Sequence, residues 1–277
     1  MFTVDVATWL AGRRAVVTGG ASGLGRAVAA QLAAGGADVW TIDLSAARET
    51  QHHGAGTIHQ IPGDITRESD VDDFLAAVTH DGAPIDLLVN NAGIGGPYAP
   101  VEDVDLDAFR TVLDVNVMGQ VILTKKAVPS LRGRSSRPGA SGADGGPASV
   151  VFVSSAAGKL GYPMRSPYAT SKWGVVGLTK TLAWELGAAG IRVNAVLPGI
   201  VDTPLARQVL ADRSAALGTT SDELWGRFLS RNALPTPVVV DDVVNTVLFL
   251  LSPLAGHISG QALSVDGGAD SIAVMDR

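Results

Sequence analysis

The chain has 277 residues, 46% of them hydrophobic and 17% charged, with a formal net charge of −6 and no cysteine. That is enough apolar material for one large α/β domain or two smaller ones, and the acidic balance leaves no basic footprint for nucleic acid. Disulfides, thiol catalysis and cysteine zinc sites are excluded, no apolar run approaches the roughly eighteen residues that span a bilayer, and the five histidines show no metal spacing.

The opening residues, MFTVDVATWLAGRR, lack the basic start and apolar stretch of a secretory leader, so the expectation is a soluble cytoplasmic protein. RAVVT, ending at Thr18, reads as a short buried strand. A glycine-rich turn follows, with Gly19, Gly23 and Gly25, and then an alanine-rich helix that stops at Gly35-Gly36. Glycine permits a tight turn and lets a pyrophosphate approach the backbone. The helix start adds free N–H groups and a positive dipole end. The spacing is G-x-x-x-G-x-G rather than the commonest dinucleotide fingerprint, G-x-G-x-x-G. A second strand, DVWTIDL, brings Asp43 about twenty residues past the glycines, where an acid binds ribose hydroxyls. A carboxylate there repels the 2′-phosphate of NADP. No arginine or lysine lies in Gly19–Gly25, and Leu44 follows the acid, so the pattern favours NAD.

TIHQIP reads as a third strand, running into Gly63-Asp64-Ile65, and SDVDDFLAAV as a capped helix. IDLLVN is a fourth strand that enters Asn90-Asn91-Ala92-Gly93. Paired asparagines either hold an unusual backbone path beside a ligand or cap a turn. A long helical run, DLDAFRTVLDVNVMGQVILTKKAV, contains Asn116. On a face rich in Val and Leu such a residue is costly unless partnered, which makes it a candidate for a polar network or a satisfied structural asparagine. Arg132 to Pro147 is rich in Gly, Ser and Pro and reads as a surface insertion loop.

SVVFVSS is a fifth strand closing at Ser155. Tyr168 stands thirteen positions on and Lys172 four further, at the start of a helical run. Positions i and i+4 share a helix face, so phenol and ammonium point the same way. A phenol titrates near 10 in water, and a neighbouring cation lowers that value. A serine hydroxyl at a strand end can donate to an oxygen on which charge develops. The three read as an acid/base centre. IRVNAVLPGIVDTP is a sixth strand running into a loop, and residues 200–235 read as a lid over the site. The helix DDVVNTVLFLLS and a final strand, QALSVDGG, complete the pattern.

With TGGASGLG at 18–25, NNAG at 90–93, Ser155, Tyr168-x-x-x-Lys172 and PG at 198–199, the chain resembles the classical short-chain dehydrogenase/reductase family over roughly residues 8 to 269. The resemblance implies one catalytic domain over 1–277, a Rossmann-like three-layer αβα sandwich with a seven-stranded parallel sheet. It implies that Tyr168 is the general acid/base, that Lys172 binds the nicotinamide ribose and lowers the phenol, and that Ser155 rather than Ser154 orients the substrate. Asn116 would position Lys172 through a water. NAD would be held by Gly19, Ser22, Gly23, Leu24, Gly25, Asp43, Leu44, Asp64, Ile65, Asn91, Ala92, Gly93, Tyr168, Lys172, Pro198, Gly199, Val201 and Thr203, with no metal. Members often pair through two long helices, so a homotetramer or dimer is expected. The reading is hydride transfer between NAD and a secondary alcohol/ketone; sugars, cyclic diols, hydroxysteroids and hydroxy acids all remain open as substrates, and the central stretch and long lid are compatible with a sugar or cyclic polyol. The alternatives are a non-catalytic NAD-binding regulator and an NADPH-dependent 3-oxoacyl carrier-protein reductase. The pocket is expected along Ile94–Tyr98, Lys159–Arg165 and the lid. Tyr98, Tyr162 and Met164 suit an apolar or ring-shaped partner, and Lys159 and Arg165 an acidic or polyhydroxylated one.

Overall fold

A computed structural model describes residues 9–135, 146–203, 206–207, 210–211, 214, 218–230 and 232–270. The strands are β1 Arg14–Thr18, β2 Asp38–Asp43, β3 Glu49–His53, β4 Gly56–Pro62, β5 Leu87–Asn90, β6 Ser149–Val153, β7 Arg192–Pro198 and β8 Ala262–Val265. They form one sheet in the order β3-β4-β2-β1-β5-β6-β7-β8. The helices are α1 Gly23–Ala34, α2 Glu68–Val78, α3 Leu106–Leu113, α4 Gln120–Ser135, α5 Ser166–Gly187, α6 Ser221–Leu229 and α7 Val240–Leu251.

Side-chain parity explains the layers. Successive residues of a strand point to opposite faces. Val16, Leu88, Val150, Phe152, Val193 and Ala195 therefore meet Phe74 of α2, Leu123 and Leu131 of α4, and Val175 of α5. Their neighbours Ala15, Val17, Leu87, Val89, Val151 and Val153 meet Val28 and Leu32 of α1 and Val243, Val247 and Leu250 of α7. With both faces covered, the central strands read as unbroken apolar runs, as parallel sheets require.

The seven parallel strands expected from the sequence are present, and an eighth joins them. Glu49–His53 pairs antiparallel with β4 across a turn at Gly54, whose φ is 61°. Every residue of that strand is exposed. ETQHH therefore has no apolar alternation for a sequence reading to detect.

The expected loop at 132–147 begins later than its composition suggested. Arg132 to Ser135 extend α4, while 136–145 lie outside the described residues. The end of α4 is held by Asp86, whose Oδ1 meets Arg134 Nε at 2.8 Å and Arg13 Nε at 3.3 Å. The other carboxylate oxygen accepts from the Arg14 amide at 2.7 Å. Of the lid expected at 200–235, the described part includes α6, with a capping box between Thr220 and Glu223. Residues 204–205, 208–209, 212–213, 215–217 and 231 lie outside the description. No described helix is long and apolar enough to cross a membrane.

Candidate active site

The strand order reverses direction between β1 and β5, and a crevice opens at the carboxyl ends of strands flanking such a switch point. Thr18, the last residue of β1, fastens the two strands there. Its hydroxyl accepts from the Asn91 and Ala92 amides at 2.9 Å each, while Asn91 Nδ2 donates to the Thr18 carbonyl at 3.0 Å. Thr18 was missed by sequence reasoning, although a buried hydroxyl at a strand end just before a glycine turn is a usable signal.

The turn itself needs its glycines. A Cβ at Gly25 would collide with the Gly19 carbonyl and come within 2.5 Å of Asn91 Nδ2. Gly23, with φ of 53°, faces open space. The cap residue of α1, Ser22, makes no side-chain cap hydrogen bond, and no acid stands in the first turn. The first N–H groups of α1 therefore have no internal claimant, the condition for an anion at a helix start. Asp43 closes β2 at the lip of this turn. Its Oδ2 accepts from the Ala21 amide at 3.1 Å, and its Oδ1 from the Ser45 amide at 2.9 Å and hydroxyl at 2.8 Å. Leu44 beside it is 74% exposed.

The other expected cofactor residues are less uniform. Asp64 Oδ1 accepts from the Thr66 amide at 2.8 Å and hydroxyl at 2.7 Å. The Ile65 side chain is buried, and a Cβ at Gly119 would lie 2.7 Å from it. Pro198 ends β7. Gly199 packs on Asp266, where a Cβ would lie 2.9 Å from the backbone. Val201 bridges Val238, and Thr203 Oγ1 accepts from the Ala206 amide at 3.1 Å.

Ser155, Tyr168 and Lys172 come together beside this crevice. β6 delivers Ser154 and Ser155, which have separate tasks. The buried Ser154 hydroxyl donates to the Lys172 carbonyl at 2.8 Å. The Ser155 hydroxyl faces the Tyr168 phenol and acts to lower its pKa, and it accepts from the Ala157 amide at 3.2 Å. Lys172 is 4% exposed. Its Nζ donates to the Val153 carbonyl at 3.0 Å and lies 5.6 Å from the Tyr168 ring centroid.

Burial dominates the electrostatics. It pushes the Tyr168 phenol above its ordinary value, against the Ser155 hydrogen bond and the Arg165 charge, which pull it down. Burial also brings the Lys172 ammonium down to about 8. Desolvation of the phenolate is thus the largest effect on Tyr168.

Asn116 sits in a π-helical turn, Asp114–Gly119, between α3 and α4. Wide turns of this kind free backbone and side chain for a local task. Fully buried, Asn116 brackets Ile94: Oδ1 accepts from its amide at 2.7 Å, and Nδ2 donates to its carbonyl at 2.9 Å. Nδ2 also donates to Ser171 Oγ at 2.9 Å, and Ser171 in turn donates to the Tyr168 carbonyl at 2.7 Å. Ser171 is a second residue that sequence reasoning missed. Asn116 and Lys172 converge on Gly93, where a Cβ would lie 3.0 Å from Asn116 Oδ1 and 3.5 Å from Lys172 Nζ.

The mouth of the pocket is apolar, with Ile94, Tyr98, Leu160, Tyr162 and Met164 all substantially exposed. The two loops that carry them are tied where the Ala99 amide donates to the Met164 carbonyl at 2.9 Å. Of the two cations expected here, Lys159 is engaged by Ser264 Oγ at 3.0 Å and Asp270 Oδ2 at 3.2 Å.

Residues 19–270 match the family model described as Enoyl-(Acyl carrier protein) reductase. The chain is 37% identical over 276 residues to (+)-borneol dehydrogenase 2 of Salvia officinalis, covering 95% of this chain and 90% of the relative. It is 34% identical over 265 residues to cis-4-hydroxycyclohexanecarboxylate dehydrogenase of Sinomonas cyclohexanicum, covering 94% and 97%. A solved short-chain type dehydrogenase/reductase from Mycobacterium ulcerans superimposes with a TM-score of 0.79 at 30% identity, covering 94% of this chain and 90% of that one.

Proposed function

The chain belongs to the short-chain dehydrogenase/reductase family, and from that premise we propose that it is an NAD-dependent dehydrogenase of a cyclic secondary alcohol. The observation that carries this reading is the meeting of Ser155, Tyr168 and Lys172 beside a glycine turn in which position 25 has no room for a side chain.

The residues present fit a nicotinamide dinucleotide. Gly19, Ser22, Gly23, Leu24 and Gly25 offer backbone and uncapped N–H groups to a pyrophosphate. Asp43 would take the adenosine ribose hydroxyls, Asp64 and Ile65 would border the adenine, and Asn91, Ala92 and Gly93 would line the backbone of the group. Pro198, Gly199, Val201 and Thr203 would flank its nicotinamide end, and Lys172 would bind the nearby ribose. The preference for NAD rests on the Asp43 carboxylate at the lip and the uncharged Leu44 next to it, since a carboxylate repels a 2′-phosphate.

When bound, the dinucleotide supplies the two-electron acceptor, and this chain manages the proton. In the oxidative direction phenolate Tyr168 takes the carbinol proton at Oη while the C–H bond gives up its hydride. The Ser155 hydroxyl donates to the substrate oxygen. The Lys172 charge favours the phenolate against the burial that opposes it. Asn116 holds the Ile94 loop and, through Ser171, the first turn of α5. The apolar rim suits a ring-shaped alcohol, in line with the borneol and the cis-4-hydroxycyclohexanecarboxylate named for two relatives. A homotetramer or dimer joined through α5 fits an exposed face that carries Trp173, Gly174, Gly177 and Trp184, the last 88% exposed. The reading sets the enzyme in the cytoplasm, in keeping with a chain without cysteine.

The test is NADH formation from NAD across cyclic alcohols, aldoses and hydroxy acids, with NADP run in parallel. The expected outcome is turnover of a cyclic alcohol with kcat/KM at least about tenfold higher for NAD. A preference for NADP would overturn the role of Asp43. Calorimetric binding of NAD with no turnover on any alcohol would replace the enzyme by a non-catalytic binder.

A further inference from the structure

Arg165 stands beside the acid/base centre. No carboxylate or carbonyl among the described residues accepts from its guanidinium, and its Nε is buried without a partner. The next side-chain hydroxyl, Ser166 Oγ, is buried and unpartnered too. Elsewhere the terminal nitrogens of Arg14 and Arg192 and the guanidinium of Arg207 find carboxylates or carbonyls at 2.6 to 3.0 Å, although Arg192 Nε also lacks a partner. An enclosed guanidinium N–H without an acceptor is costly, because that donor has lost water without replacement.

The backbone holds Arg165 in this situation. Met164 is the one non-glycine residue with positive φ among the described residues, at 66°. Such a conformation is unfavourable for a side chain with Cβ and is kept where the surroundings enforce it. Two hydrogen bonds do so here: the Ala99 amide to the Met164 carbonyl, and the Arg165 amide to the Tyr162 carbonyl at 3.2 Å. The turn swings Arg165 onto the acid/base centre. Its Cζ lies 5.4 Å from the Tyr168 ring centroid, and a Cβ at Gly95 would lie 2.7 Å from its Nη2. The guanidinium therefore lies between the Gly95 backbone and the Tyr168 ring, at the apolar mouth.

We propose that Arg165 is a specificity-determining residue that pairs with a carboxylate on the substrate, so that the natural substrate is a cyclic hydroxy acid. The proposal rests on the dehydrogenase reading and narrows its substrate class. The planar fork of arginine matches the two oxygens of a carboxylate. A single charge is on offer, since Lys159 is held by Asp270. A phosphate dianion calls for more than one cation, so a monoanion is the better match. The apolar rim accepts the ring, and the carboxylate completes the donors of Arg165 while the carbinol faces Tyr168 and Ser155.

The test uses two matched comparisons on the wild type, Arg165→Gln and Arg165→Lys. In the first, kcat/KM is measured for 3- and 4-hydroxycyclohexanecarboxylate against their neutral primary amides. The expected acid-to-amide ratio is about 10 to 100 in the wild type, near one in Arg165→Gln and intermediate in Arg165→Lys. In the second, calorimetry with and without dinucleotide compares cyclohexanecarboxylate, which has no hydroxyl to oxidise, with cyclohexanecarboxamide. The same order of preferences is expected. A wild-type ratio near one in both comparisons, or a ratio that survives Arg165→Gln, overturns the proposal. So does an equal loss on acid and amide, which would mean that Arg165 acts only on the Tyr168 phenol. If no alcohol is oxidised but the calorimetric preference holds and vanishes in Arg165→Gln, the carboxylate site stands and the dehydrogenase reading falls.

Discussion

Replacing Lys172 by methionine should stabilise the ligand-free protein at neutral pH while abolishing turnover. The ammonium is buried, and burial brings it from its ordinary 10.5 to about 8. Because the folded value is the lower one, the unfolded chain holds more proton between about 8 and 10.5, and stability rises with pH through that window. Below 8 the full cost of burying the charge is present, about 3 kcal/mol at pH 7 and about half that at pH 9.5. Methionine keeps the volume and drops the charge, but the Val153 carbonyl loses the donor it now has at 3.0 Å, which returns about 1 kcal/mol. The balance is about 2 kcal/mol in favour of Lys172→Met at pH 7, or about 4 °C in Tm for a chain of this size. The assay is thermal unfolding of both proteins without cofactor at pH 7, 8 and 9.5, read as the difference between them. The gap should close as pH rises. A variant less stable than wild type at pH 7, with a gap that does not change with pH, would refute the burial argument.

Two further outcomes are expected. Tyr168→Phe should lower kcat by about a thousandfold or more while NAD affinity measured by calorimetry stays close to wild type, and near wild-type turnover would remove Tyr168 as the proton acceptor. Asn116→Ala deletes three hydrogen bonds, the part-buried pair to both main-chain groups of Ile94 and the buried one to Ser171. It should cost about 2–4 kcal/mol in chemical denaturation and lower kcat as the Ile94 loop and the first turn of α5 loosen. A stability loss with turnover per folded molecule unchanged would make Asn116 a structural residue alone.

The parallel strands and the helices between them were legible because strand parity and helix spacing write core contacts directly into the sequence. ETQHH was not, because a wholly exposed edge strand is held by main-chain bonds that leave no apolar signature. The acid/base centre was legible through spacing, and adjacent Ser154 and Ser155 could be separated by distance from Tyr168. What each hydroxyl does, one on the Lys172 carbonyl and one on the phenol, depends on how β6 meets α5. The burial that raises the Tyr168 phenol was not legible for a related reason. A neighbouring cation can be counted along a chain, whereas desolvation is a property of the whole fold. Lys159 and Arg165 looked equivalent in sequence, and only the approach of Asp270 from beyond β8 distinguishes them.

The π-helical turn at Asp114–Gly119 is also a change of phase. Each residue of a regular helix turns the chain by about 100°, and a wide turn holds one residue more than an α-turn does. Everything after it is thus rotated by about that angle from where an unbroken helix would have put it. In that phase Leu123, Ala127 and Leu131 face the sheet. The same offset turns Asn116 to Ile94 and Ser171. The distal half of the helix cannot be wound back into continuous phase with α3 without drawing these leucines out of the core. Core packing and the orientation of the asparagine are therefore two readings of one angular offset, and neither can drift without the other.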